Sequence, residues 1–144
     1  MPRKEEIPAD AVTTTFRVRY FETDQMRVAH HAHYLAWFEL ARAEFCRVRG
    51  IDYTKMEAQG YFLPVVEARC RYITPAKYDD EITVAVWVTG RTSRAARFAY
   101  AVLRAGKRIA EGETYQMLTG VDGRARAFPD EMARLFGVSE PTPE

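Results

Sequence analysis

The spacing of apolar residues along the chain changes from an alternating pattern to a helical one and back. Between Thr15 and Phe21 apolar and polar side chains alternate, which predicts a half-buried strand. From about His31 to Val48 apolar residues recur at steps of three and four, which predicts a helix of about 18 residues. A basic last turn and then Gly50 predict its end. No other long helix is predicted from this pattern.

After this helix the pattern is mostly that of strands. Residues 52–58 predict a short second helix with Asp52 as its cap. Four strands joined by short turns are predicted at 61–73, 81–89, 94–104 and 108–119. Pro64 should make the start of the first of these irregular or place it at an edge, and residues 128–136 predict a short C-terminal helix. Short turns imply antiparallel neighbours, so we expect an α+β fold in which a five-stranded antiparallel sheet curls around one long helix.

The length of the chain predicts a single domain. With 144 residues it can bury one core but is short for two. We expect this domain at 14–137, between flexible tails at 1–13 and 138–144. No apolar run approaches the roughly 20 residues that cross a bilayer, and the first residues lack the apolar segment of a secretory signal. We therefore expect a soluble, cytoplasmic protein with no membrane partner.

Composition and charge exclude some classes of function. The chain has 47% hydrophobic residues, which is typical of a globular protein. Its 21 Lys and Arg residues balance 20 Asp and Glu residues, whereas nucleic-acid binders usually carry a basic excess, so no nucleic-acid partner is expected. Cys46 and Cys70 lack the spacing of a zinc site or a disulfide framework, and we expect both to be buried and reduced.

All histidines of the chain, namely His30, His31 and His33, lie just before the long helix. Zinc needs three or four ligands arranged around it, and neighbouring side chains at a helix start fan apart by about 100°. The residues leave open a positional role, a catalytic role and a metal site. We favour the positional role and expect no metal.

Asp24 lies in the loop before the same helix. The first N–H groups of a helix have no intrahelical partners, and with the helix dipole they can stabilise a developing oxyanion. A nearby carboxylate can attack a polarised carbonyl or activate the water that does so. The order strand, acid, loop and helix is therefore compatible with acyl transfer. An Asp before a helix is also commonly a cap or a solvated loop residue.

Two motifs resemble a known family. The string YFETDQMRVAHHAHYLAWFELARAEF, from Tyr20 to Phe45, resembles the acyl-CoA thioesterases of the hotdog fold, in the 4-hydroxybenzoyl-CoA thioesterase-like group. Family members there read approximately Y-x-D-T-D-x-x-G-V-V-Y-H-A-N-Y-L-x-W-F-E-x-A-R-x-E-F. The string YITPAKYDDE, from Tyr72 to Glu81, is similar to the family's Y-x-x-P-A-x-x-D-D turn. With the matching order of elements, the resemblance covers most of residues 15–120.

The resemblance implies a hotdog fold and the hydrolysis of acyl-CoA thioesters without a cofactor. It puts the catalytic carboxylate, as nucleophile or general base, on Asp24. It puts the oxyanion donor on the backbone N–H of His31 or a neighbour. A substrate tunnel between the second strand and the long helix implies acyl contacts at Tyr34, Phe38, Leu63 and Val66. Glu39 is a lower-ranked alternative acid, because some hotdog thioesterases use a helix carboxylate.

Hotdog domains join their sheets edge to edge with the acyl groove between subunits, so the resemblance also implies a homodimer that assembles to a homotetramer. Acyl-CoA is the expected partner. Two other functions stay open, a non-catalytic acyl-CoA-binding module and an acyl-thioester hydratase. The hydratase typically needs a histidine and an acid in a context that this sequence lacks.

Three positions depart from the family pattern. Glu22 replaces the usual first Asp and lengthens an expected structural carboxylate by one methylene. Arg27 replaces a frequent Gly at a position that often needs the backbone freedom of glycine, and we expect its side chain to face phosphate or solvent. His30 and His33 replace other polar residues, whereas His31 matches the family.

Overall fold

The structure, a computed structural model, describes residues 6–136. Five strands form one antiparallel sheet in the spatial order β1-β3-β4-β5-β2. Their bounds are β1 Val12–Arg17, β2 Val65–Tyr72, β3 Glu81–Arg91, β4 Ala95–Arg104 and β5 Lys107–Met117. The predicted tail at 138–144 and the first five residues of the other predicted tail lie outside the described residues.

Three helices accompany the sheet, α1 His33–Arg49, α2 Tyr53–Ala58 and α3 Asp130–Leu135. Gly50 ends α1 in the left-handed region, at φ +80°, as a glycine stop does. The Asp52 side chain caps α2 by accepting hydrogen bonds from the N–H groups of Thr54 and Lys55. None of the helices within residues 6–136 is long and apolar enough to cross a membrane.

The main core lies between α1 and the concave face of the sheet. Helix α1 contacts β1 and β3 toward one edge of the sheet and β2 at the other edge, so the sheet wraps around it. The buried side chains of α1 are Tyr34, Trp37, Phe38, Ala41, Phe45 and Cys46. They pack against the inward residues of β3 and β4, namely Ile82, Val84, Val86, Phe98, Tyr100 and Val102. The predicted α+β hotdog architecture is therefore confirmed.

A second, smaller cluster covers the convex face of the sheet. It consists of Ala85, Trp87, Ala99 and Ala101, with Ile7 and Ala11 packed against it. Both faces of β3 are therefore buried, as its sequence predicts. Strand β1 begins at Val12, so it includes the last two residues of the segment that we expected to be a tail.

The first predicted strand is wrong at its C-terminal end. The prediction ran to Phe21, but β1 ends at Arg17 and Tyr20–Glu22 forms a short 3₁₀ turn. Tyr20 is consequently 78% exposed instead of facing the core. The physical reason is a turn closed by local hydrogen bonds. The Glu22 N–H donates to the Arg19 carbonyl, and the Thr23 N–H donates to the Tyr20 carbonyl. The Glu22 carboxylate in turn accepts from the Arg19 N–H.

Three smaller predictions also need correction. Helix α1 begins at His33, two residues after the predicted start. Val48, which we placed on the apolar face, is 57% exposed because it lies in the last turn, away from the sheet. Cys46 is buried and reduced as expected, whereas Cys70 is reduced but only partly buried because it lies on the edge strand β2.

Candidate active site

The loop before α1 is closed on itself by backbone hydrogen bonds. The N–H of His30 donates to the carbonyl of Glu22 at 2.8 Å, and the N–H of Asp24 donates to the carbonyl of Val28 at 3.0 Å. At the tip, the N–H of Arg27 donates to the carbonyl of Asp24 at 2.9 Å. The two ends of the loop are therefore held side by side, and the chain continues from His30 into the start of α1.

Arg27 occupies the loop position where the family often has glycine. Its φ is +64°, in the left-handed region that favours glycine. An arginine there costs on the order of 1 kcal/mol in backbone strain. The residue is exposed, so its side chain faces solvent and not the core.

Glu22 is the buried carboxylate of the loop, with 1% of its surface exposed. It accepts hydrogen bonds from the Arg19 backbone N–H at 2.8 Å, from Arg19 Nη2 at 3.2 Å and from Trp37 Nε1 at 2.8 Å. Burial by itself would raise the pKa of Glu22, but these hydrogen bonds outweigh it and lower the pKa below the ordinary value. Through Trp37 the carboxylate ties the loop to α1.

Asp24 is partly exposed, and one of its oxygens supports the turn. Oδ1 accepts a hydrogen bond from the Met26 backbone N–H at 2.8 Å, which is the geometry of an Asx-turn. Within the described part of the chain, no donor binds the other oxygen, Oδ2. The side chain is therefore oriented through one oxygen while the second can meet a substrate or a water molecule.

The residues just before the N-terminus of α1 include a free backbone N–H donor. The N–H groups that follow His31 have acceptors: Ala32 donates to His30 Nδ1 at 3.3 Å, His33 to the carbonyl of His30 at 3.1 Å, and Tyr34 to the carbonyl of His31 at 3.3 Å. Among residues 6–136, the backbone N–H of His31 has no acceptor. It is available for an external oxygen at the positive end of the helix.

The three imidazoles lie together without forming a metal site. The rings of His30 and His31 are 4.2 Å apart between centroids, and His33 meets Phe21 edge to face at 5.8 Å. The described residues contain no group of three or more His, Cys, Asp and Glu side chains that could hold a metal ion. His30 Nδ1 accepts from the Ala32 N–H and so helps to shape the entrance of α1.

A groove of about 480 Å³ lies between α1, α2 and the segment before β2. Its lining residues are Glu39, Arg42, Ala43, Tyr53, Glu57, Phe62, Leu63 and Pro64. Leu63, a predicted acyl contact, and Glu39, the alternative acid, both belong to it. Asp24 and His31 do not, so on one chain the groove and the helix entrance are separate features.

Two of the predicted acyl contacts, Tyr34 and Phe38, lie on the side of α1 that faces the core. Tyr34 is 2% exposed and Phe38 is fully buried, so both face the core. The Phe38 ring stacks on Tyr100 at 4.3 Å, in the space that Gly112 leaves on β5. Val66 is 54% exposed on β2 and lies outside the groove. The helix face beside the groove carries Glu39, Arg42 and Ala43.

A buried polar network below the groove was missed by the sequence reasoning. Arg42 Nη1 donates to the Tyr100 hydroxyl at 3.0 Å, and that hydroxyl shares a 2.6 Å hydrogen bond with Thr114. With the Gln116 amide oriented to satisfy its neighbours, its oxygen accepts from Arg42 Nε at 3.2 Å. The available signal was an arginine between Ala41 and Phe45, on the apolar side of a predicted helix.

Comparison with known proteins gives consistent matches. Residues 18–136 match the family model of the Thioesterase-like superfamily. The chain is 31% identical over 120 residues to a putative esterase of Aquifex aeolicus, covering 83% of this chain and 93% of that protein. It is 29% identical over 131 residues to the acyl-CoA thioester hydrolase YbgC of Escherichia coli O6:H1, covering 86% and 97%. A solved DHNA-CoA thioesterase of Staphylococcus aureus has a TM-score of 0.84 at 25% identity, covering 88% of this chain and 89% of that one.

Proposed function

This chain belongs to the thioesterase-like superfamily and is a thioesterase, and from that premise we propose that it hydrolyses acyl-CoA thioesters with Asp24 and the backbone N–H of His31. The relative from E. coli named an acyl-CoA thioester hydrolase supports this substrate class. The observation that carries the assignment of residues is the free N–H of His31, directly after the loop that orients Asp24.

The reaction consumes one water and yields a carboxylic acid and the thiol of CoA. The N–H of His31 donates to the thioester carbonyl oxygen, and its hydrogen bond strengthens as negative charge develops there. Asp24 Oδ2 either attacks the carbonyl carbon, giving an anhydride that water then hydrolyses, or takes a proton from an attacking water. In both routes the carbon–sulfur bond breaks and the thiolate leaves.

The groove between α1 and α2 is the proposed acyl site. Since Asp24 and His31 of the same chain do not line it, this proposal requires the dimer described below to bring the groove of one subunit beside the Asp24 loop of the other. Phe62, Leu63 and Pro64 give it an apolar wall, and Arg42 places a cation at its helix side. Of the four predicted acyl contacts, Leu63 lines this groove. Tyr34 and Phe38 are core residues behind the helix surface and are not proposed as contacts.

We also propose that the chain forms a homodimer through β2, and that two dimers pair to a homotetramer. The support on this chain is the position of β2 at one edge of the sheet with both of its faces largely exposed. Joining two β2 edges would satisfy the unpaired backbone groups of both. It would also bring Val66 next to the second subunit.

Thiol release from a panel of acyl-CoAs, followed with a thiol reagent, tests the function. The substitution Asp24→Asn keeps an oxygen for the Met26 N–H but removes the reactive carboxylate. We expect kcat to fall by about 100-fold or more. Glu39→Gln tests the alternative acid. Because Glu39 lines the proposed acyl groove, this substitution can change KM, but kcat should fall far less than in Asp24→Asn.

The same assay separates the competing functions. If wild type binds acyl-CoA but releases no thiol at any chain length, the chain is a binding module. Conversion of an enoyl-CoA without thiol release would indicate a hydratase. Full activity in Asp24→Asn together with a loss in Glu39→Gln would move the catalytic carboxylate to the helix.

A further inference from the structure

The geometry points to Tyr72 as a positioning residue for thioester hydrolysis, one that holds the oxyanion donor in place from the neighbouring strand. This inference rests on the proposed function of His31. Tyr72 is the last residue of β2, and its hydroxyl donates to the backbone carbonyl of His31 at 2.8 Å. The carbonyl belongs to the same residue whose N–H is free to bind the substrate oxygen.

Two local hydrogen bonds at His31 and Ala32, just before α1, are long. The carbonyl of His31 also accepts from the Tyr34 N–H, but at 3.3 Å, and the next N–H, from Ala32, reaches His30 Nδ1 at 3.3 Å. The first of these distances exceeds the usual 2.9–3.0 Å of an N–H···O bond. Of the two hydrogen bonds to the His31 carbonyl, the one from Tyr72 is the shorter, and it spans more than 40 residues of sequence.

Backbone pairing and a ring contact hold Tyr72 in position. Its backbone pairs with Ala110 of β5, and its ring meets Tyr34 edge to face with centroids 4.9 Å apart. Burial of the hydroxyl raises its pKa further above the ordinary value, and the neighbouring Cys70 adds to this shift. The hydroxyl therefore stays protonated, and able to donate a hydrogen bond, at neutral pH.

Two other residues of the second motif, Ala76 and Asp79, bind the same loop region through backbone hydrogen bonds. The N–H of Ala29 donates to the carbonyl of Ala76 at 2.7 Å, and the N–H of Asp79 donates to the carbonyl of Val18 at 2.9 Å. The turn after β2 is therefore hydrogen-bonded to the chain at Val18, before Asp24, and at Ala29, after it. Tyr72 makes its contact through a side chain, so a substitution can remove that contact and leave these backbone hydrogen bonds intact.

The expected effect follows from how an oxyanion donor acts. Such a donor stabilises charge that develops in the transition state, so a misplaced donor lowers kcat more than it changes KM. Misplacement by about 1 Å can cost as much as 100-fold. Because Tyr72→Phe removes one of several restraints, we expect kcat to fall about 10-fold with KM changed less than twofold.

The test compares Tyr72→Phe with wild type on the best acyl-CoA of the panel. Tyr78→Phe is the matched control, since Tyr78 lies in the same motif, is 58% exposed and contacts Tyr20 by its ring. We expect kcat of the control to equal that of wild type. Thermal unfolding and amide hydrogen exchange are measured on all three proteins, and exchange over residues 32–34 should be faster in Tyr72→Phe at a similar melting temperature.

Several results would overturn the inference. One is an unchanged kcat in Tyr72→Phe, and another is a rise of KM alone, which would make Tyr72 a substrate contact. An equal loss of kcat in Tyr78→Phe would show that the motif acts on overall stability. If the wild-type protein has no thioesterase activity, the proposed function fails and this inference fails with it. Wild type is assayed before any variant, so that failure is distinguished from a failure of the role of Tyr72 alone.

Discussion

Two carboxylates lie two residues apart before α1, and their surroundings give them different tasks. Glu22 is buried and accepts three hydrogen bonds, so it is committed to holding the loop against the helix. Asp24 is partly exposed and uses one oxygen for the turn. The family resemblance implied a structural role for the first acid. The partners of that acid, Arg19 and Trp37, followed only from the structure, since Trp37 is 15 residues away.

The substitution Glu22→Gln should destabilise the protein in a pH-dependent way. Glutamine offers one acceptor and an NH₂ group that would face donors, so we expect a loss of about 2 kcal/mol in the free energy of unfolding at neutral pH. Because folding lowers the pKa of Glu22 below its ordinary 4.5, its stabilisation is fully present above pH 4.5 and is lost as the pH falls through the lowered pKa. Urea unfolding of wild type and variant from pH 7 down to pH 3 measures this.

The matched control is Glu81→Gln. Glu81 has an exposed side chain 3.7 Å from Arg17, and exposed pairs of this kind contribute little, so the variant should stay within about 0.5 kcal/mol of wild type. A difference between wild type and Glu22→Gln that stays constant down to pH 3 would contradict the account of Glu22.

At the scale of elements, the close approach of α1 to the sheet depends on one glycine of β5. A Cβ built on Gly112 would lie 2.3 Å from the carbonyl oxygen of Arg69 on β2 and 2.5 Å from the Phe38 ring. Glycine here lets Phe38 lie flat against Tyr100 while β2 and β5 stay paired. The periodicity of α1 predicted that Phe38 faces inward, but nothing local to Gly112 indicated this contact.

We therefore expect Gly112→Ala to be strongly destabilising. Overpacking in a dense core costs about 1–3 kcal/mol, and here one of the clashes is with backbone, which cannot move aside without breaking the β2 pairing. Gly120→Ala is the matched control, because its Cβ would meet at 2.7 Å only the end of the Arg126 side chain, which can swing away. Thermal unfolding should separate the two variants, and equal melting temperatures would contradict the argument.

At the scale of the whole molecule, the two edges of the sheet differ in how they are covered. Strand β1 alternates between partly buried and exposed residues, whereas nearly every residue of β2 is exposed. Val65 and Val66 are exposed near its start, and Tyr72 and Ile73 at its end. A bare edge with apolar side chains is an open site for strand pairing, which is the basis for the proposed dimer.

A charge on that edge should oppose the pairing of two copies. In a twofold dimer Val66→Lys introduces two like charges near one interface, so we expect the dissociation constant to rise at least 10-fold. Light scattering coupled to size-exclusion chromatography measures the mass across a dilution series. Val121→Lys, at a loop valine that is 82% exposed, is the control and should keep the wild-type mass. A monomeric wild type, or a Val66→Lys variant with an unchanged mass, would contradict the β2 dimer.

Features that depend on neighbours in sequence could be determined from the sequence alone. The long helix, the cap at Asp52, the stop at Gly50 and the antiparallel hairpins are confirmed because each arises from local periodicity, capping or turn chemistry. At Arg27 the family resemblance marked a position that often needs the backbone freedom of glycine, and its φ of +64° lies in that region. The hotdog architecture followed from the order of these elements and from the two motifs.

Only the tertiary structure decided how distant segments use those elements. It joined Arg42, beside the groove, to Tyr100 on β4. It also joined Tyr72, at the end of β2, to His31. These outcomes depend on the packing of side chains and on hydrogen bonds between residues 40 or more positions apart, which local propensity does not encode.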